Sequence, residues 1–361
     1  MKKSLALLTA SALSLSLVLA GCGGTNSGDA NEPGAADKGV VNVYNWGVYI
    51  DESVLEDFTA ETGIEVVYDT FESNESMYGM LKNDGASYDV VIPSDYMISR
   101  MIEEDMLEPL NFDNIPNFAD IDPALKNPDY DPENLYSVPY MWGLLGIIYN
   151  TTMVEEAPTS WGTMFDENYA GQILMFNNSR DAIGVALKYL GYSYNTTDEA
   201  QIKEAVDLLI QQKPLVQSYV MDVIFEKMQG GSAAIGAYYY GDFLTMQEIN
   251  PDLAFCLPEE GTNLYVDAMC IPKNAENKEN AEIFINYMCS TAAGLKNCEE
   301  IWYSSPLLSV RDALDPEVSS DPLAYPDEAI MAQCESYAGL PQEILDLYDS
   351  EWTRLKSASV S

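Results

Sequence analysis

Two long extended runs limit what this chain can fold into. Residues 137–150 read Ser-Val-Pro-Tyr-Met-Trp-Gly-Leu-Leu-Gly-Ile-Ile-Tyr-Asn, and residues 263–272 read Asn-Leu-Tyr-Val-Asp-Ala-Met-Cys-Ile-Pro. Runs of this length and β-forming composition are long enough to leave one lobe and return from another. Before the first lies a β-α-β-α-β-α series. Val41 and Val43 begin a strand, and Val54, Leu55 and Phe58 mark a helix that Asp51 opens and Gly63 stops. Residues 64–68 form a second strand. Ser73-Asn74-Glu75-Ser76 then opens a helix bearing Met77, Met80 and Leu81. Residues 89–92 form a third strand, broken by Pro93-Ser94-Asp95 before a helix bearing Met97, Ile98, Met101 and Ile102. This alternation predicts a parallel sheet with helices on its faces. A second series follows the first long run: a strand over 172–176, a turn at Asn177-Asn178-Ser179-Arg180-Asp181 into a helix, an amphipathic helix over Glu199–Gln212, and a strand over 233–241.

In open α/β sheets, ligands bind beyond the carboxyl ends of the strands. Trp46 and Tyr49 occupy such a place, as do Ser94 and Tyr96, although Ser94 or Asp95 equally suits the cap of the helix that follows. Strand alternation over 233–241 places Tyr239 on one face and Tyr238 and Tyr240 on the other. With Tyr265, Asp181 and Asp267, these residues make a candidate cleft in which aromatics far outnumber cations. Ring faces attract ammonium groups and pack methylenes, and carboxylates pair the charged ends. Such a site suits an aliphatic amine or a quaternary ammonium compound, without choosing between them.

The charge balance points the same way. Acidic residues outnumber basic ones 58 to 17, for a formal charge of -41. This favours cationic partners and repels nucleic acid and anionic membrane surfaces. The chain has no histidine, which removes Ser-His-Asp and Cys-His hydrolysis and the commonest zinc ligand. It also lacks a Gly-x-Ser-x-Gly turn, a phosphate-cradling glycine loop and a metal-ligand cluster, so neither catalysis nor a cofactor or metal is expected.

At the N-terminus, Met1-Lys2-Lys3 precedes an apolar segment from residue 5 to 20, too short for a stable membrane span. It ends in Leu19-Ala20-Gly21-Cys22, which resembles a bacterial lipobox. That resemblance implies cleavage before Cys22 and lipidation of its thiol. The following stretch to Gly39, rich in Gly, Ala, Asn, Asp and Pro, reads as a flexible tether. Five other cysteines remain, without a C-x-x-C pair. Whether Cys289 and Cys298 join is open.

Six further segments carry a family resemblance along the chain from about residue 40 to the C-terminus. They are Tyr44-Asn45-Trp46, Glu61-Thr62-Gly63-Ile64, Glu72-Ser73-Asn74-Glu75, Pro93-Ser94-Asp95-Tyr96, Asn195-Thr196-Thr197-Asp198 and Tyr265-Val266-Asp267. Together they resemble the spermidine/putrescine-binding proteins of polyamine ABC importers. The resemblance implies the two-lobed α/β fold of type II periplasmic binding proteins, each lobe a mainly parallel sheet flanked by helices, with hinge crossovers and a ligand cleft between lobes. The expected organisation is a lipoprotein signal peptide over 1–21, a tether over 22–39, one lobe from 40–143 with 267–332, and another from 144–266 with 333–361.

The resemblance also implies that Trp46, Tyr49, Ser94, Tyr96, Tyr239, Tyr265 and Asp267 contact the amine. An acid pair of the family, three residues apart, falls on Asn178 and Asp181, so one acid is an amide here. Family tryptophans fall on Tyr239 and Tyr265, and a family glutamine on Glu335. The implied function is capture of putrescine or spermidine and delivery to permease subunits of an ABC transporter. The protein is then a non-enzymatic monomer, held to the outer face of the cytoplasmic membrane only through its lipid, or periplasmic, and without nucleic-acid partners. The loss of one acid at Asn178 predicts a short diamine or triamine. A receptor for another organic cation, such as a betaine-like compound, is the alternative.

Overall fold

The computed structural model describes residues 38–83 and 87–359. The expected signal peptide, the lipobox at Cys22 and the tether as far as residue 37 lie outside the described residues. In β1 (Val40–Trp46), Val41 and Val43 are fully buried on one face, and the strand ends on Trp46 before a turn at Gly47-Val48 that leads to Tyr49. α1 (Ser53–Thr62) buries Val54 and Phe58, four residues apart on one helical face. Asp51 Oδ1 accepts from the Ser53 amide at 2.8 Å, but the cap position itself belongs to Glu52. Gly63 ends α1 at φ 75°, a left-handed conformation open to glycine, with its amide donating to the Thr59 carbonyl. β2 (Glu65–Phe71) follows. Ser73 then starts α2 (Asn74–Lys82) through a reciprocal capping box with Ser76.

β3 is shorter than the sequence pattern predicts, Val90–Val91, because the chain turns at Pro93 into α3 (Asp95–Glu103). Ser94 occupies the cap position of α3 without a side-chain capping bond. β4 spans Ser137–Asn150, and β5 spans Ile173–Phe176. Next come α4 (Ser179–Tyr189), α5 (Glu199–Gln212), β6 (Val216–Val220) and α6 (Val223–Gln229). β7 ends at Tyr239 and α7 (Tyr240–Ile249) starts at the next residue, so the predicted strand to residue 241 is cut short. β8 (Leu253–Cys256), β9 (Thr262–Cys270) and β10 (Cys334–Glu335) complete the strands, and a C-terminal helix spans Gln342–Ser357.

The strands lie in the order β2-β1-β3-β9-β4-β7-β5-β6, with β10 beside β9 and β8 beside β4. β1 pairs in parallel with β2 and β3, and β5 in parallel with β6 and β7. The two long strands join these groups through antiparallel pairs. β4 runs beside β9 from Ser137 to Leu144, then changes partner to β7 at Leu145. Both parallel groups are packed into one continuous hydrophobic core, which takes Val41, Val90, Phe58 and Ile98 from the first and Leu174, Ile183, Leu187 and Ile235 from the second. This is the two-lobed α/β architecture, with antiparallel crossovers added to parallel sheets. Cys289 and Cys298 are free and buried, so the pairing left open by the sequence does not form.

Two buried acids serve the scaffold. Asp89 accepts from the backbone amides and side-chain amides of Asn42 and Asn277. Asp131 accepts from the amides of Leu135, Tyr136 and Ser137 and from the Ser137 hydroxyl. A buried carboxylate with four donors is the expected compensated state. The carboxylates of the cleft differ.

Candidate functional site

The carboxyl ends of β1, β3, β5 and β7 open on one cleft of about 710 Å³, counting its mouth. Trp46, Tyr49, Ser94, Tyr96, Asn178, Asp181, Tyr239, Tyr265 and Asp267 all line it.

β1 delivers Trp46, whose ring is anchored by an Nε1 donation to the Ile92 carbonyl at 2.9 Å. Tyr49 sits three residues on, its ring edge-on to Tyr303 and its hydroxyl donating to Asp267 Oδ2 at 2.6 Å. Asp267 comes from β9, where the backbone bridges to Ser94. It is 5% exposed, and Oδ1 has no hydrogen-bond partner among the described residues. Burial pushes its carboxyl up to about 6, against the opposing pull of Ser94 and Tyr49 and with help from Asp181. Tyr265 pairs across from Gly143, where a Cβ would lie 2.5 Å from the Tyr265 hydroxyl oxygen. Glycine at that position lets the ring lie over the strand. The Tyr265 hydroxyl is buried and unpartnered among the described residues.

The other anchor is built at the start of α4. Asn178 caps the helix, Oδ1 accepting from the Asp181 amide at 2.9 Å, while Nδ2 donates to Asp181 Oδ2 at 2.8 Å. Tyr239 donates to Oδ2 at 2.6 Å and Tyr337 to Oδ1 at 2.9 Å. Burial raises the Asp181 carboxyl, opposed by these donors and by Arg180. Burial also pushes the phenols of Tyr49 and Tyr239 well up, with Asp267 and Asp181 respectively adding to it, so they remain donors. Asn74 fixes the adjoining wall, donating to Ser94 Oγ at 3.1 Å and Tyr96 Oη at 3.0 Å.

Glu335 is placed differently from the expectation. It does not line the cleft: its carboxylate is paired with Lys188 and takes bonds from the Ser193 hydroxyl and the Tyr194 amide. Burial opposes the charge, but Lys188 and Ser193 hold the carboxyl below its ordinary range. The residue from this segment that reaches the cleft is Tyr337, two positions on. Alternation also misplaced Tyr238. Tyr238 and Tyr239, the last two residues of β7, both line the cleft, with ring centroids 4.8 Å apart.

Asp242, Asp222 and Tyr303 line the cleft as well and were not expected. Burial pushes Asp242 up to about 8, opposed by Tyr303 and reinforced by Asp222 and Asp267. Its signal was the Gly241-Asp242 pair directly after a strand end, similar to Pro93-Ser94-Asp95. Tyr303 and Tyr337 lie outside regular elements and carry no local pattern. The cleft thus holds four carboxylates and no lysine or arginine in its lining. Like charges in a poorly hydrated space raise one another's pKa, and a cation entering between them relieves that repulsion.

Residues 53–326 match the family of bacterial extracellular solute-binding proteins. A spermidine/putrescine-binding periplasmic protein of Salmonella typhimurium is 36% identical over 304 residues, covering 83% of this chain and 87% of the relative. A solved structure from Listeria monocytogenes, described as a spermidine/putrescine ABC transporter, aligns with a TM-score of 0.86 at 37% identity, covering 89% of this chain and 99% of that one. The spermidine/putrescine ABC transporter substrate-binding protein of Streptococcus pneumoniae aligns with a TM-score of 0.75 at 39% identity, covering 88% and 99%.

Proposed function

This chain belongs to the family of bacterial extracellular solute-binding proteins, and we propose that it captures putrescine or spermidine and delivers it to the permease of an ABC transporter. The observation that carries this reading is the buried Oδ1 of Asp267, without a partner among the described residues, at one side of an aromatic cleft that also holds Asp181. An unpaired buried carboxylate oxygen calls for a donor with N–H groups. A primary ammonium has three and a quaternary ammonium none, so a linear amine fits better than a betaine-like compound. Asp181 and Asp267 meet two ammonium ends, and Trp46, Tyr49, Tyr96, Tyr239 and Tyr265 pack the methylenes between. Glu335, engaged by Lys188, takes no part. Asp242 supplies the further carboxylate that a triamine needs.

The protein acts by binding rather than by catalysis. Residues 40–143 with 267–332 form one lobe and 144–266 with 333–361 the other. The change of partner along β4, from β9 at Leu144 to β7 at Leu145, supports this division. Lipidation of Cys22 would hold the monomer at the outer face of the cytoplasmic membrane, on a tether of residues 22–39. A thermal-shift panel of putrescine, cadaverine, spermidine, spermine, glycine betaine and choline tests the reading, because a ligand of the native state raises its apparent stability. Stabilisation by the di- and triamines, without response to the quaternary compounds, is expected. The reverse order would assign the cleft to another cation.

A further inference from the structure

Arg180 is 2% exposed, and none of its three guanidinium nitrogens has a hydrogen-bond partner among the described residues. A buried guanidinium without acceptors is costly, so something else must hold it. Three tyrosine rings do. The guanidinium carbon lies 4.5 Å from the centroid of Tyr337, 5.1 Å from Tyr96 and 5.2 Å from Tyr348. A second, smaller cavity adjoins it, lined in part by Glu75, Arg100, Tyr348 and Asp349. Tyr96 is shared between this cavity and the main cleft, whereas Tyr337 lines the main cleft and Tyr348 only the smaller one. Tyr96 and Tyr337 meet edge to face, with centroids 5.6 Å apart, so together they make a wall between the two spaces.

Aromatic faces with carboxylates at their margin form the chemistry that recognises an alkylammonium. Behind the wall that chemistry is complete, and the chain's own cation fills it. We infer that Arg180 is the built-in occupant of a further ammonium subsite, and that it determines specificity by stopping a longer amine at the wall of Tyr96 and Tyr337. This inference rests on the polyamine reading of the main cleft. Asp181 takes the terminal ammonium on the near side of the wall, where Tyr337 donates to its carboxylate. An additional aminopropyl arm would have to push past the two rings into a cage already holding a positive charge. Repulsion between two cations a few ångströms apart in a poorly hydrated space is strong. The charge of Arg180 therefore penalises each further ammonium, and the penalty falls hardest on the amine with most charges.

Competition calorimetry with putrescine, spermidine and spermine tests this on wild type, Arg180→Ala, Arg180→Gln and Arg180→Lys. The expected result is a spermine-to-putrescine affinity ratio raised about tenfold or more in Arg180→Ala, and raised in Arg180→Gln, which keeps much of the stem and loses the charge. Arg180→Lys, which keeps a cation, should hold the wild-type ratio. Methylguanidinium added to Arg180→Ala should refill the cage and return the ratio towards wild type. A merely structural role would weaken all three amines together, so a ratio within about threefold of wild type in both neutral variants overturns the inference. If Arg180→Ala does not fold, the ratio in Arg180→Gln decides alone. Wild type that binds none of the amines overturns the polyamine reading and this inference with it.

Discussion

The Tyr49 hydroxyl donates to Asp267 Oδ2 at 2.6 Å, joining residues 218 positions apart in the chain. This bond orients the carboxylate and occupies one oxygen, so that Oδ1 is the atom left for a ligand. Replacing Asp267 by Asn keeps the shape and removes the charge. Polyamine binding should weaken by roughly 2–5 kcal/mol, as for truncation of one partner in a buried charge pair. Calorimetry that finds less than about a threefold loss would remove Asp267 from the role of anchor.

Asn178 is both a helix cap and a donor to Asp181. Asn178→Asp should keep the cap, since aspartate caps equally well, and add a countercharge. The triamine should then gain on the diamine, because a charged partner makes the stronger bond. Without ligand, the variant should lose stability, because two carboxylates would face each other where an amide donated. Titrations of putrescine and spermidine that give an unchanged ranking and unchanged affinities would show that Asn178 has no part in selecting the amine.

Asp267 is raised from 3.8 to about 6 and Asp242 from 3.8 to about 8 in the folded protein. A carboxyl whose folded pKa lies above its unfolded value stabilises the fold at low pH. That contribution is lost as pH rises through the folded value. The ligand-free protein should therefore lose melting temperature from about pH 4, the unfolded carboxyl value, to about pH 8, the folded value of Asp242. An ammonium bound between these groups favours their charged forms. Affinity should rise over the same window, and binding at pH 7 should release about one proton, chiefly from Asp242. Calorimetry in two buffers of different ionisation enthalpy measures that number, and binding without proton release would rule out Asp242 as a contact.

β4 and β9 connect the two strand groups, and the cleft lies between them, which is the arrangement of hinge-closing binding proteins. Saturating spermidine should reduce the radius of gyration measured by small-angle scattering. An unchanged radius with binding confirmed would argue that the lobes do not move.

Much of this architecture is legible in the chain because length and period carry it. Residues 137–150 read as a buried strand because Pro139, Gly143 and Gly146 disfavour a helix and the run is rich in aromatic and β-branched residues, and β4 has those bounds. Asn178 is reached only through the family acid pair, three residues apart, that falls on it and Asp181, and the structure shows that spacing to be a helix cap. Alternation is no guide to Tyr238, which lies inside β7 yet lines the cleft beside Tyr239, and the expected strand to residue 241 fails because the chain becomes helical at Tyr240. Glu335 and Tyr337 show the limit of matching a family position loosely: Lys188, distant in sequence, engages the acid, and the tyrosine two residues later reaches the cleft. Tyr303 and Arg180 owe their surroundings to long-range packing, which no local pattern announces.

The central claim is that this cleft binds a linear polyamine through N–H donors between carboxylates. Calorimetric titration of the mature protein with spermidine, putrescine and glycine betaine at pH 7.5 tests it most directly. One-to-one binding of spermidine or putrescine with micromolar or tighter affinity, lost in Asp267→Asn, and no heat from glycine betaine, is the predicted result. No saturable heat with either polyamine, or tighter binding of glycine betaine, would contradict it.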